Sequence, residues 1–307
     1  MRIAHLSDIH INTNFKKSHI GKTKKLIKLA LEKGFNHFVI TGDISDNSEV
    51  KDFLIFRKIL KSFDLLDSRK TSIVIGNHDI FGGVNTALDV VNFPSKCMAV
   101  DYNKKVNEFV SYFKELFENC YFPLKNKSFP FAKIIDDTIF IGLNTNDYYS
   151  RIKNPFASNG KIYKEQFEAL SEILHSNNLK SMRKVILSHH HFYKNTEEST
   201  SSSSMWNKIE SYMLKLRGKK KVIKLLAENK VDLVLHGHSH EMRDYVRKGV
   251  RFINAGGCVE NAFTDNSTLV LIDTEDEINV EFIIPESNPT VVLKEQTERE
   301  YISSLAG

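Results

Sequence analysis

Residues 71–79 read Thr71-Ser72-Ile73-Val74-Ile75-Gly76-Asn77-His78-Asp79, an apolar run that gives way at once to glycine and three polar side chains. β-Branched residues favour strands, and the glycine punctuates the end. The same grammar recurs on both sides. Upstream, Ile3 to Leu6 leads into Asp8-Ile9-His10, and His37-Phe38-Val39-Ile40 leads into Gly42-Asp43-Ile44-Ser45-Asp46. Downstream, Lys184-Val185-Ile186-Leu187 leads into Ser188-His189-His190-His191, and Val231 to Leu235 leads toward Gly237-His238-Ser239-His240. Between the first strands, residues 22–33 put Leu26, Ile27, Ala30 and Leu31 on one helical face. Residues 48–63 do the same with Phe53, Ile55, Phe56, Ile59 and Leu60. Strand, helix, strand at this rhythm predicts βαβ units, parallel strands and an α/β class. Parallel strands end on a common edge, where open α/β sheets hold their ligands. Five polar clusters far apart in sequence are therefore expected to meet.

The 307 residues are enough for one large domain or two small ones. Hydrophobic residues at 41% and charged residues at 26% exclude wholesale disorder and collagen-like repeats. Forty-three Lys and Arg against 38 Asp and Glu leave +5, too mild for a nucleic-acid binder by field alone but suited to an anionic substrate. No apolar run approaches the roughly 18 residues that span a bilayer. Met1 to Asp8 goes straight into a strand-like segment rather than a leader. Cys97, Cys120 and Cys258, odd in number and widely spaced, form neither a disulfide framework nor a thiolate zinc pattern. The expectation is a cytoplasmic protein with no membrane partner.

Residues 1–285 read as one domain and 286–307 as a solvated tail. Residues 80–130 read as an excursion or cap over the ligand-bearing edge. It contains a helix from Asn103 to Asn119 whose Val106, Phe109, Val110, Phe113, Leu116 and Phe117 make a packing face. Phe131–Ile135 and Thr138–Leu143 flank Asp136-Asp137 as a hairpin. Helices are expected at Tyr163–Leu174 and Trp206–Asn229, a mobile polar loop at Thr196–Ser204, and closing strands at Val250–Asn254, Ser267–Asp273 and Ile278–Ile284. Gly21-Lys22-Thr23 imitates the end of a phosphate loop, but Lys16 replaces its first glycine. The basic run Lys215 to Lys221 reads as a solvated face.

Asp, Asn and His supply oxygen and imidazole nitrogen without sulfur, which suits Mn, Fe, Zn or Co. Seven such residues are too many for one ion and about right for two divalent ions. A carboxylate can bridge such a pair at about 3.5–4 Å. The residual positive charge would attract a phosphate oxyanion.

Asp-x-His, Gly-Asp-x-x-Asp, Gly-Asn-His-Asp, a strand-end His and Gly-His-x-His, in this order from residue 8 to residue 240, resemble the calcineurin-like metallophosphoesterase superfamily. Gly160-Lys161-Ile162 and Ile253-Asn254-Ala255-Gly256-Gly257 also match family patterns. The resemblance implies a four-layer αββα sandwich of two mixed β-sheets flanked by helices. It makes Asp8, His10, Asp43 and His240 ligands of one metal, with Asp43 bridging to a second held by Asn77, His189 and His238. Asn77 and His78 would contact the phosphate, a bridging hydroxide would attack, and His78 would act as general acid with Asp46 fixing its ring. The family's pattern prefers His189 to His190 as the ligand, and since side chains alternate along a strand the two neighbours should point different ways. His236 is expected to be structural or to support a ligand, and Asp79 to start a helix or support the site.

Among family members, phosphoprotein phosphatases end this block in Asp-Arg-Gly, whereas here Asp46 is followed by Asn47-Ser48, and only 67 residues follow His240. The closest look is to bacterial cyclic-nucleotide and glycerophosphodiester phosphodiesterases. The expected substrate is a small phosphodiester or nucleotide, with cyclic nucleotides among the candidates. The alternatives are a phosphomonoesterase, a DNA or RNA nuclease, and a non-catalytic scaffold. A homo-oligomer is compatible with the sequence.

Overall fold

The computed structural model describes residues 1–193, 214–260 and 266–285. The polar stretch 196–204, the first part of the helix expected from Trp206, and the tail 286–307 lie outside them. The first 81 residues alternate β1 (Arg2–Leu6), α1 (Ser18–Glu32), β2 (His37–Ile40), α2 (Val50–Ser62), β3 (Thr71–Ile73) and α3 (Asn77–Phe81). Then come α4 (Ala87–Ala99), α5 (Tyr102–Tyr112), β4 (Phe131–Ile135), β5 (Thr138–Gly142), β6 (Gly160–Lys161), α6 (Lys164–Leu174) and β7 (Arg183–Leu187). The order closes with β8 (Leu216–Arg217), α7 (Lys219–Glu228), β9 (Leu233–His236), β10 (Met242–Arg247), β11 (Val250–Ala255), β12 (Leu269–Asp273) and β13 (Asn279–Ile283).

Two large mixed sheets carry the fold. One runs β13-β12-β1-β2-β3 and the other β10-β11-β9-β7-β5-β4. β1, β2 and β3 are parallel, as are β5, β7, β9 and β11, while the hairpin partner β4 and the edge strand β10 run antiparallel. Pleating sorts the second sheet's side chains between two cores. Phe140, Val185, Leu187, Leu233, Leu235 and Ile253 share a core with the first sheet, α1 and α2. Their neighbours Ile139, Ile141, Ile186, Val234 and Phe252 pack with α6 and α7 instead. Helix, sheet, sheet, helix is the result. No helix of the described residues is long and apolar enough to cross a membrane.

Several elements differ from the sequence reading. The helix expected through to Asn229 is interrupted: Leu216–Arg217 pairs with Gly160–Lys161, and Gly218 turns at φ +86° before α7 begins. The helix expected over Asn103–Asn119 stops at Tyr112 and tightens into a 3-10 turn at Lys114–Phe117. β3 ends at Ile73, and α4 and β10 were not anticipated. Much of the excursion is core: Val106, Phe109, Phe113, Leu116 and Phe117 join the first cluster, with Phe109 5.8 Å from Phe53 between ring centres. Buried Lys133 of β4 ties it down, its Nζ donating to the carbonyls of Ser68 and Thr71 at 2.6 Å and of Leu116 at 3.3 Å. Burial lowers its pKa to about 8.

Candidate metal centre

Beyond β1 and β2 the chain continues as two paired loops. Asp8 N donates to Gly42 O, His10 N to Asp43 O, and Ile11 N to Ile44 O at 2.7–3.1 Å. Asp79 fastens the third loop to the second, one carboxylate oxygen accepting from Ile44 N and Ser45 N and the other from Gly76 N. Both uses anticipated for it, helix start and support of the site, are thus seen in one side chain. Gly237 N donates to His189 O, and His238 N to Asp8 Oδ2 at 3.0 Å, closing the ring of loops. Two glycines allow the close approach. A Cβ on Gly76 would stand 2.1 Å from Asp43 Oδ1, and one on Gly237 would stand 1.8 Å from Ser7 Oγ.

The backbone is strained where the ligand types sit. Asp8 (φ +52°), His10 (+46°), Asp43 (+52°), His238 (+78°) and His240 (+55°) all occupy the left-handed region. For a side-chain-bearing residue that costs on the order of 1–2 kcal/mol each, and such outliers concentrate at functional sites. His19 helps to hold the first of these turns, its Nδ1 lying 3.0 Å from the carbonyls of Ile9 and His10.

Among the described residues three groups of ligand atoms lie within 4.8 Å; two clusters, Asp8 with His10 and His240, and Asp43 with His189 and His238, hold expected ligands, and the third joins His10 to Asp46 and His78. Within the first, Nε2 of His10 and Nε2 of His240 face each other at 3.2 Å, and the latter is 3.5 Å from Asp8 Oδ1. Within the second, Nε2 of His189 is 3.1 Å from Nδ1 of His238, 3.3 Å from Asp43 Oδ2 and 3.0 Å from Asn77 Oδ1. The same Asp43 oxygen is 3.9 Å from His10 Nε2, so this carboxylate lies between the clusters. All seven residues expected as ligands are brought together.

These residues fit a pair of cations. Nitrogens that face one another across 3.1–3.2 Å have at most shared protons between them, and each pair abuts a buried carboxylate. Asp8 Oδ1 and His238 Nε2 are buried without any hydrogen-bond partner. Burial opposes ionisation of Asp43, but the neighbouring His189 and His78 outweigh it and hold the carboxyl well below its ordinary range. Burial brings His10 and His238 down to about 3, leaving neutral rings with lone pairs to offer. His189 Nδ1 donates to the carbonyl of Thr41 at 2.8 Å, which turns Nε2 toward the cluster.

His190 is directed elsewhere. Its Nδ1 meets Thr145 Oγ1 at 2.9 Å and its Nε2 the carbonyl of Ser158 at 3.2 Å. His236 is buried with Nε2 against the Tyr245 hydroxyl, outside both clusters. His78 stands beside the first cluster, its ring 4.6 Å from that of His10 and its main-chain N–H donating to Asp43 Oδ1. Asp46 does face His78, but through its main-chain oxygen, 3.0 Å from Nδ1. Its carboxylate instead accepts from Asn12 and Asn85, and lies 3.5 Å from His10 Nδ1 and 3.6 Å from Lys16. Sequence reasoning passed over Asn12, Asn85 and His19, and took Lys16 only as a departure from a phosphate loop. Only the position of Asn12, two residues past His10, gave any hint.

The fold resembles that of purple acid phosphatase PPD1 from yellow lupin (Lupinus luteus) seeds, with a TM-score of 0.60 at 15% identity over 95% of this chain and 52% of that one. The chain thus spans about half the length of the lupin protein. A dimetal phosphatase from Danio rerio gives a TM-score of 0.54 at 12% identity, covering 92% of this chain and 98% of that one. At such identities the likeness is one of fold. No curated protein sequence matches the chain. The model of the calcineurin-like phosphoesterase family matches residues 1–242, a span that holds all seven expected ligands with Asp46 and His78, and the chain belongs to that family.

Proposed function

We propose that the protein is a metal-dependent phosphodiesterase. The observation that carries this reading is the position of Asp43, whose Oδ2 is within 3.9 Å of a ring nitrogen from each of the two clusters. Asp8, His10, His240 and Asp43 would hold one divalent ion, and Asp43, Asn77, His189 and His238 the other. Their oxygen and imidazole donors suit Mn, Fe, Zn or Co. Such a pair, when bound, makes water acidic enough to attack at neutral pH and screens the charge of the phosphate.

The protein's own contribution centres on His78. Because the Asp46 carbonyl can only accept, Nδ1 of His78 carries the proton and Nε2 is left to serve the substrate. Protonated at Nε2, the ring binds a phosphate oxygen and then delivers that proton to the departing alkoxide. Asn77 orients the phosphate through its amide. Lys16, the lysine beside Asp46, is shared with Glu260 at 3.2 Å, so its charge is already balanced and is not free for the second negative charge of a monoester. That balance favours the diester. The cysteines Cys97, Cys120 and Cys258 are all unpaired thiols, in keeping with a reducing compartment.

The test compares bis-p-nitrophenyl phosphate with p-nitrophenyl phosphate in the presence of manganese. The diester is expected to be turned over with the higher kcat/KM. Preference for the monoester would overturn the diester assignment, and inactivity on both would overturn the enzymatic one.

A further inference from the structure

A ladder of aromatic rings begins on the helix that presents His78. Phe81, at the end of α3, is 6.1 Å from Tyr102 of α5, Tyr102 is 4.2 Å from Tyr148, and Tyr148 is 5.5 Å from Tyr163. Lys161 caps the far end, its Nζ 4.2 Å above the Tyr163 ring. None of these rings belongs to the motifs of the metal centre.

The segment that carries Tyr148 is bound to the centre at two points. Asn146 Nδ2 donates to the carbonyl of Ile75, two residues before Asn77, and Thr145 Oγ1 pairs with His190, whose ring is 4.3 Å from that of His238. Both flanking tyrosines are locked. The Tyr102 hydroxyl donates to Asn146 O and accepts from Asn144, and the Tyr163 hydroxyl donates to Asp147 at 2.5 Å. Tyr148, between them, is held through its ring and its main chain, which bonds to Asp147 and Asn154. Even so it is 45% exposed. An aromatic side chain that is nearly half exposed yet held by immobile neighbours on two sides has little rotamer entropy left to lose when a flat ligand lands on it.

We infer that Tyr148 is the stacking platform for a nucleobase, and that the diester hydrolysed at the metal centre is esterified to a nucleoside. This rests on the phosphodiesterase reading. Phosphate at Asn77 and His78 leaves the sugar to cross from α3 toward the 144–148 segment, and the base to stack on the exposed ring. Stacking of this kind tolerates any base, because every base has a π-face. It gives selectivity for nucleosides over small alcohols rather than among nucleosides.

The experiment measures kcat/KM with manganese for two diesters that share one leaving group, thymidine 5′-(p-nitrophenyl phosphate) and methyl p-nitrophenyl phosphate. The ratio between them cancels any general damage to the enzyme. Tyr148→Ala is expected to reduce the preference for the thymidine ester by roughly 5- to 150-fold, the scale of one base–aromatic stack. Tyr148→Phe should keep it. An unchanged ratio in Tyr148→Ala overturns the platform. Should the wild type hydrolyse neither ester, the phosphodiesterase reading falls. Equilibrium dialysis with thymidine 5′-monophosphate then decides the platform alone: tighter binding to wild type than to Tyr148→Ala supports it, and equal binding overturns it.

Discussion

The Nδ1 atom of His78 lies 3.0 Å from the main-chain oxygen of Asp46, whereas the Asp46 carboxylate stands 3.9 Å away. The ring is thus held by a group that no side-chain substitution at 46 removes. His78→Ala is expected to reduce kcat by about 10²–10⁴ with metal content unchanged. Asp46→Asn should cost less, about 10–100-fold, the usual effect of altering a partner that supports a ligand. Equal losses in the two variants, measured on a substrate with a poor leaving group, would shift the orienting role back to the carboxylate.

Asp43 Oδ2 lies within 3.9 Å of a ring nitrogen from each cluster. Titrating the metal-free protein with manganese should raise its melting temperature, with about 2.7 kcal/mol gained per site at a hundredfold excess over Kd. Asp43→Asn should lose most of that rise. A full thermal shift in the variant would show that the ions bind without it.

His189 and His190 are adjacent in sequence but face different partners. Metal analysis of His189→Ala should find less than the wild-type stoichiometry, and His190→Ala should keep it. The reverse result would exchange their roles.

Gly237→Ala changes no proposed ligand, yet the added methyl would sit 1.8 Å from Ser7 Oγ and 2.4 Å from Asp8 Oδ2. Overpacking of this sort destabilises by about 1–3 kcal/mol. Urea denaturation should register that loss, and metal binding should weaken with it as Asp8 is displaced.

Lys133 gives the fold a dependence on alkaline pH. Its folded pKa is lowered by burial to about 8 from 10.5. Below pH 8 the lysine is charged in both states, and the burial penalty is felt in full. Between pH 8 and 10.5 the folded chain gives up the proton more readily than the unfolded one, so this group makes stability rise across that window. Lys133→Met should abolish that contribution. At neutral pH it should cost about 1–3 kcal/mol, because three buried carbonyls lose their donor. Chemical denaturation at pH 8 and pH 10 checks both.

The strand exits were readable because each joins an apolar run to ligand-type residues, and parallel strands must finish on one edge. The alternation of Val185, Ile186 and Leu187 between two cores follows from the same pleat. α4 escaped notice because it contains Pro94 and, although its apolar residues recur at helical spacing, it buries only Cys97 and leaves Leu88, Val90 and Val91 exposed. β10 reads Met242-Arg243-Asp244-Tyr245-Val246-Arg247, a polar edge strand that borrows its order from β11. The support of His78 by a carbonyl was invisible in principle, since every residue has one. Gly218 was the one sign that the helix before Asn229 is broken, and its left-handed turn is where α7 begins.

Five of the residues around the proposed ions hold a backbone shape that L-amino acids avoid, so the rim is a place where chemistry and durability pull in opposite directions. Alanine at 240 would discard the imidazole and keep the awkward turn, whereas glycine would relax it. A descendant no longer selected for catalysis would gain robustness by drifting to glycine at these points, and such a drift would be a fossil of lost activity legible without any assay.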